Sequence, residues 1–137
     1  MAVTLPVPVP TPETQPFWEA AKRGELLIQR CSVDGTAFAY WRRDAFCPVC
    51  RTGKVETVPS AGRGFVYSFV INQREMPGIL PPAPSVIAIV ELDEGPRLVA
   101  AVSEVDPTPE SVHINSRVAV RFAPRDGHSV PYFVPED

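Results

Sequence analysis

The run Gly62-Arg63-Gly64-Phe65-Val66-Tyr67-Ser68-Phe69-Val70-Ile71-Asn72 sets two glycines ahead of residues that are mostly β-branched or aromatic. Such residues suit a pleated, half-buried strand, and the glycines let the chain turn sharply into it without a side-chain clash. Beyond it lie a proline-rich loop from Met76 to Pro84, an apolar run from Ser85 to Leu92, the turn Asp93-Glu94-Gly95-Pro96, and Arg97 to Val102 as a hairpin partner. After an aperiodic stretch from Asp106 to Ser116, Arg117-Val118-Ala119-Val120-Arg121-Phe122 alternates cleanly, and Ser129 to Val134 closes the chain as a last strand. Five strand signals, with a long irregular connection ahead of the fourth, predict a small closed or partly open five-stranded barrel of the OB type. A small sandwich is the alternative.

Upstream of the glycines the signals are shorter. Leu26 to Arg30, Ala37 to Trp41 and Lys54 to Val58 read as short strands, and Glu13 to Arg23 as a short N-terminal helix stopped at Gly24. Phe17 and Trp18 are adjacent, so they cannot share one narrow helical stripe, and at least one must pack on a neighbouring element. Met1 to Pro16 holds Pro6, Pro8, Pro10, Pro12 and Pro16 among small residues, the composition of an extended arm. The expected organisation is a proline-rich arm over 1–16, a helix and ribbon over 17–60, and the barrel over 61–137.

Composition narrows the function classes. Seventeen prolines in 137 residues exclude a long-helix architecture. A net charge of −3, from 13 Lys and Arg against 16 Asp and Glu, opposes a protein built mainly to neutralise nucleic-acid phosphates. The apolar runs fall far short of the roughly 20 residues of a membrane span, and no stretch reads as an export signal, so a cytoplasmic protein without a membrane anchor is expected.

Chemistry concentrates in the cysteines. Cys47-Pro48-Val49-Cys50 is a C-x-x-C knuckle, and Cys31-Ser32-Val33-Asp34-Gly35 lies one hairpin upstream, with Asp34 where a fourth cysteine would stand. A zinc ribbon uses two such knuckles to aim four ligands at one tetrahedral ion, and carboxylate oxygen is an acceptable though harder donor. Three readings follow: zinc held by Cys31, Asp34, Cys47 and Cys50; a metal-free ribbon held by strand pairing and by Phe38, Tyr40, Trp41 and Phe46; or a redox dithiol at Cys47 and Cys50. An iron site of the rubredoxin type normally takes four thiolates, which disfavours electron transfer.

No catalytic set accompanies the knuckles. His113 and His128 sit in polar segments that read as solvated surface, and Asp93 and Glu94 belong to a hairpin turn. Gly62-Arg63-Gly64 lacks the context of a phosphate loop and reads as a hinge into the barrel. Phe65, Tyr67 and Phe69 share a strand face by period-2 spacing, and stacking bases on them would make the chain a ribbon-plus-OB binder of single-stranded nucleic acid.

The order and spacing of Pro16-Phe17-Trp18-Glu19, Gly24-Glu25-Leu26, Gln29-Arg30-Cys31, Cys47-Pro48-Val49-Cys50, Gly62 to Ser68, Val90 to Leu98 and Val130-Pro131-Tyr132-Phe133 resemble the family known as domain of unknown function 35. The resemblance covers nearly everything after the arm. It implies a rubredoxin-like zinc ribbon joined to an OB fold, and a non-catalytic accessory subunit of a thiolase-superfamily partner, thiolase-like or lipid-transfer-like, in acyl-CoA condensation, thiolysis or retro-aldol cleavage, steroid side chains included. A hetero-oligomer is expected, with a coenzyme A thioester at the partner interface. Asp34 is the departure from the family pattern and bears on zinc. Under this resemblance Arg42, Arg43, Arg51, Lys54 and Arg63 are candidates for contact with coenzyme A phosphates or an acidic partner surface, and the Met76 to Pro84 loop for an interface or an acyl-channel wall.

Overall fold

The structure is a computed structural model that describes residues 7–39, 47–51, 53–77 and 81–136. The first element, α1 (Gln15–Lys22), opens with Pro16, whose fixed φ suits a first helical turn. It ends in a Schellman arrangement: Gly24 takes φ +79°, its N–H reaches Ala21 O at 3.0 Å, and Glu25 N–H reaches Ala20 O at 3.0 Å. The helix buries Ala20 and Ala21 and leans on the last strand of the chain. Phe17 packs on the main core, as one of the two aromatics had to, and meets Trp18 edge-to-face at 4.9 Å.

The ribbon follows. Strands β1 (Leu27–Cys31), β2 (Ala37–Phe38) and β3 (Val55–Pro59) form an antiparallel sheet in the order β2-β1-β3, with Gln29 opposite Phe38 and Cys31 opposite Val55. The strand expected from Ala37 through Trp41 ends at Phe38, since Ala39 already bends away, and Tyr40, Trp41 and Phe46 lie outside the described residues.

The barrel consists of β4 (Arg63–Asn72), β5 (Ser85–Leu92), β6 (Arg97–Val102), β7 (Arg117–Arg125) and β8 (His128–Pro135), closed in the order β4-β5-β6-β8-β7. Neighbours are antiparallel except at the β6–β8 seam, which is parallel and rests on one bridge, Val102 to Phe133. This is the predicted mainly β architecture: one short helix, a ribbon and a five-stranded barrel. The core holds Val66, Val86, Ala88, Val90, Leu92, Val102, Val118 and Phe133, and the β6–β7 connection contributes Val112. Leu26 and Ile28, at the entrance to β1, belong to that same core.

Gly62 and Gly64 act as a hinge. Gly62 takes φ +73°, and a Cβ on Gly64 would lie 2.1 Å from Glu91 O, so β4 crosses β5 at a distance no side chain allows. Glu94 secures the approach by accepting hydrogen bonds from Ser60 Oγ at 2.9 Å and Ala61 N–H at 2.8 Å. Asp93 takes a bidentate pair from Arg117 at 2.7 and 2.8 Å, and Arg63 pairs with Glu136. Of the turn carboxylates, Glu94 therefore serves the joint between ribbon and barrel, and Asp93 ties the β5–β6 turn to β7.

One sequence expectation fails at β4. The pairing with β5 shifts between Val66 and Ser68, a β-bulge centred on Tyr67. Val66 and Phe69 consequently both face the core, so Phe65 and Phe69 lie on opposite faces and the three-aromatic base-stacking face does not form. The bulge is held from outside the barrel: Asn115 N–H reaches Val66 O at 2.7 Å, and Val66 N–H reaches Ser116 O at 3.0 Å. Among the described residues, no helix is long and apolar enough to cross a membrane.

Candidate metal centre

Two turns of matching design face one another at the end of the ribbon. In the first, Gly35 N–H returns to Cys31 O at 3.1 Å with Gly35 at φ +76°; in the second, Arg51 N–H returns to Cys47 O at 2.9 Å with Arg51 at φ +64°. Both left-handed residues lie four positions after their cysteine, so Asp34 and Cys50, each three positions after, are equivalent. The fold thus places the Asp34 carboxylate where the repeat calls for a thiol.

Backbone N–H groups point at the sulfurs: Val33 and Asp34 donate to Cys31 Sγ at 3.4 and 3.5 Å, Val49 to Cys47 Sγ at 3.3 Å, and Gly53 to Cys50 Sγ at 3.2 Å. Such donors favour the anionic form of a sulfur ligand. Gly53 has to be glycine, since a Cβ there would lie 2.4 Å from Cys31 Sγ. Cys31, Cys47 and Phe38 are buried together, with Cys50 and Val55 packed against them.

The ligand atoms of Cys31, Asp34, Cys47 and Cys50 all lie within 4.8 Å of one another. Cys31 Sγ is 3.6 Å from Cys50 Sγ, and Cys47 Sγ is 3.6 Å from Asp34 Oδ2. Zinc bonds of about 2.3 Å to sulfur and about 2.1 Å to oxygen set tetrahedral edges near 3.8 Å between sulfurs and about 3.6 Å between sulfur and oxygen. The donor set fits a zinc-sized tetrahedral ion.

The electrostatics agree with that fit. The Thr36 N–H, 2.9 Å from Oδ1, holds the Asp34 carboxyl down to about 2, so it is anionic at neutral pH. Burial pushes the Cys31 thiol up to about 11, so a cation binding here must displace a proton.

The other candidates are scattered. Arg42 and Arg43 lie outside the described residues, Arg51 and Lys54 are exposed, and Arg63 is engaged with Glu136. The Met76 to Pro84 loop is described except for residues 78–80. Its Pro81 borders a groove of about 470 Å³ beside the β6–β8 seam, lined also by Val99, Ala101, Ala123, Val130 and Tyr132. Val99 is 71% exposed, Val70 61%, and Ile89 lies between their strands on β5, which gives the outer barrel face an apolar strip. The sequence reading missed this strip, although β6 carried the signal: with Leu98, Ala100 and Val102 inward, Val99 had to point out. At one end of the strip Arg97 lies 3.7 Å over the Tyr67 ring and pairs with Glu91 at 2.8 Å.

The fold and the knuckles define a class of protein with a rubredoxin-like zinc ribbon followed by an OB-fold barrel. Residues 18–56 match the family described as "ChsH2, rubredoxin-like zinc ribbon domain", and residues 57–123 match "ChsH2, C-terminal OB-fold domain". The chain belongs to this ChsH2 family, also called domain of unknown function 35. It is 33% identical over 112 residues to a "DUF35 domain-containing scaffold protein" of Methanothermobacter thermautotrophicus, covering 80% of this chain and 81% of that protein. It is 35% identical over 126 residues to the "Probable enoyl-CoA hydratase alpha subunit" of Thermomonospora curvata, covering 87% of this chain but spanning only 36% of that protein's length. A solved structure described as "Ltp2-ChsH2(DUF35) aldolase" superimposes with a TM-score of 0.78 at 32% identity, covering 94% of this chain and 98% of that one.

Proposed function

We propose that this chain is a non-catalytic accessory subunit that binds and stabilises an enzyme of the thiolase superfamily acting on acyl-CoA or steroid-CoA thioesters. The observation that carries the reading is the likeness, along 98% of its length, to a chain in a structure described as an aldolase whose name joins two components. The relatives' names, a scaffold protein and a hydratase alpha subunit, support a partnered role, and the exposed strip of Val70, Ile89 and Val99 supplies an apolar surface for it. The turn carboxylates are engaged in structural contacts, Glu94 at the hinge and Asp93 with Arg117, as a scaffold would have them.

Zinc is the structural metal of the ribbon in this reading, held by Cys31, Asp34, Cys47 and Cys50. It would tie the two knuckles together, and its chemistry is that of a closed, four-ligand structural site. A coenzyme A thioester would be met at the partner interface, with the exposed Arg51 and Lys54 as available phosphate donors. The organisation proposed is the arm over 1–16, the ribbon module over 17–60 and the barrel over 61–137, working in the cytoplasm.

The test is reconstitution. The purified chain alone should turn over no acyl-CoA thioester, whereas adding it to a thiolase-like protein from the same host should raise that protein's melting temperature and activity. A partner that binds only the folded enzyme stabilises it by about 2.7 kcal/mol at a hundredfold excess over Kd. Vigorous thiolase or aldolase turnover by the lone chain would overturn the reading.

A further inference from the structure

We infer that Cys31 and Cys50 are a thiol–disulfide site, oxidised as a pair by a hydroperoxide while Cys47 stays a thiol; the consequence for metal rests on the zinc reading above. The sequence points elsewhere, since Cys47-Pro48-Val49-Cys50 has the spacing of a redox dithiol. The folded ribbon brings Cys50 Sγ to 3.6 Å from Cys31 Sγ, 19 residues away, and sets Cys47 Sγ against the Asp34 carboxylate. A disulfide needs about 2.05 Å between sulfurs, so a closure of about 1.5 Å joins the pair.

The two sulfurs differ in access. Cys31 is 1% exposed and sealed under Gly53, whereas Cys50 is half-buried beside Val49, which is 66% exposed at the knuckle tip. Peroxide therefore meets Cys50 first. The Cys50 sulfur attacks one peroxide oxygen, the O–O bond breaks, and the departing hydroxide leaves as water, giving a sulfenic acid. The Cys31 sulfur then attacks the Cys50 sulfur, the S–O bond breaks, and a second water leaves, its proton drawn from the Cys31 thiol in the metal-free chain and from solvent where zinc has already displaced that proton. The sum is two thiols and one hydrogen peroxide to one disulfide and two waters, with both electrons supplied by sulfur.

The aspartate makes the outcome singular. Of the three cysteines, one pair oxidises and one thiol is left, with no fourth sulfur to form a second bridge. The donors remaining are Cys47 and Asp34, two where a structural zinc site uses four, so the ion leaves. A thiol reductant reverses the bond and restores the site.

The experiment uses the full chain loaded with zinc, whose metal content is measured first. Hydrogen peroxide is added with a chromogenic zinc chelator present, remaining thiols are blocked with N-ethylmaleimide, and the digested protein is read by mass spectrometry. The expected result is a Cys31–Cys50 crosslink, the maleimide mark on Cys47, about one equivalent of zinc released, and recovery of all three thiols with dithiothreitol. The Cys47→Ser variant should form the same crosslink, so the pair is testable even where substitution at Cys31 or Cys50 prevents folding. A Cys47–Cys50 bridge, or conversion to sulfinic acid with no bridge, overturns the inference. Protein that holds no zinc at the start yet links Cys31 to Cys50 upholds the oxidation site and defeats the zinc reading, so the two failures are separable.

Discussion

The Cys47 sulfur stands 3.6 Å from Oδ2 of Asp34, while Oδ1 of the same carboxylate takes the Thr36 N–H at 2.9 Å. One oxygen is fixed by its own turn, and that bond aims the other at the sulfurs. The pairing explains how a side chain unlike the three cysteines is accommodated in a ribbon knuckle.

From that geometry, Asp34→Ala should release zinc readily. Losing an outer-shell partner alone typically weakens a metal site by about 10- to 100-fold, and loss of a direct ligand should cost at least as much. Asp34→Cys should hold zinc more tightly than the parent, because a thiolate is the softer donor. Competition with a chelator of known affinity gives the order, and zinc-free protein isolated without chelators would remove the basis of the prediction.

Gly64→Ala should be among the most damaging single-methyl additions in the chain. Its Cβ would collide with backbone, Glu91 O at 2.1 Å, which cannot rotate aside. The expected cost is about 3 kcal/mol or more, at the top of the usual range. Gly24→Ala serves as the control, since nothing lies within 4 Å of its Cβ and only its φ of +79° opposes the substitution, at about 1–2 kcal/mol. Urea titration of both variants checks the ranking.

How much was legible depends on how local each signal is. The alternation of Arg117 to Phe122 and the run Ser85 to Leu92 became β7 and β5 because each pattern spans most or all of its strand. The two knuckles were legible for the same reason, and Asp34 came out at the fourth position. The bulge at Tyr67 was not, because one inserted residue leaves composition unchanged while reversing every later side chain. Nor was the parallel β6–β8 seam, whose bridged residues Val102 and Phe133 are far apart in the chain.

The Asp93–Arg117 pair sets a modest acid dependence. Arg117 holds the Asp93 carboxyl below its ordinary value of 3.8. A carboxylate with a depressed folded value stabilises the native state above its unfolded value, and loses that contribution as pH falls through the folded value. Both side chains are 44% exposed, so solvent screens the pair and Asp93→Asn should cost under about 1 kcal/mol at pH 7. The difference between parent and variant should shrink as the pH is lowered below about 4, the ordinary aspartate range. A gap that widened in acid would contradict the assignment.

On the outer barrel face, Val99→Asp should weaken partner association while leaving the isolated chain intact. The side chain is 71% exposed, and surface substitutions usually stay within about 0.5 kcal/mol of parental stability. A residue that matters in an interface costs more than about 1 kcal/mol when lost, roughly fivefold in affinity. Calorimetric titration against the partner reads the change, and equal affinity would move the interface off β4–β6.

Strand β1 has one end in each half of the molecule. Ile28 is sunk among barrel side chains, and three residues later Cys31 ends the strand beneath the facing knuckles. A strand rises about 3.3 Å per residue, so the two anchorages are about 10 Å apart along a stiff paired segment. The segment works like a tie-beam: withdrawing it from the ribbon would unseat the side chains that plug the barrel. The two halves should therefore melt in one transition, and a change at the knuckles should be felt at the barrel face proposed to meet a partner.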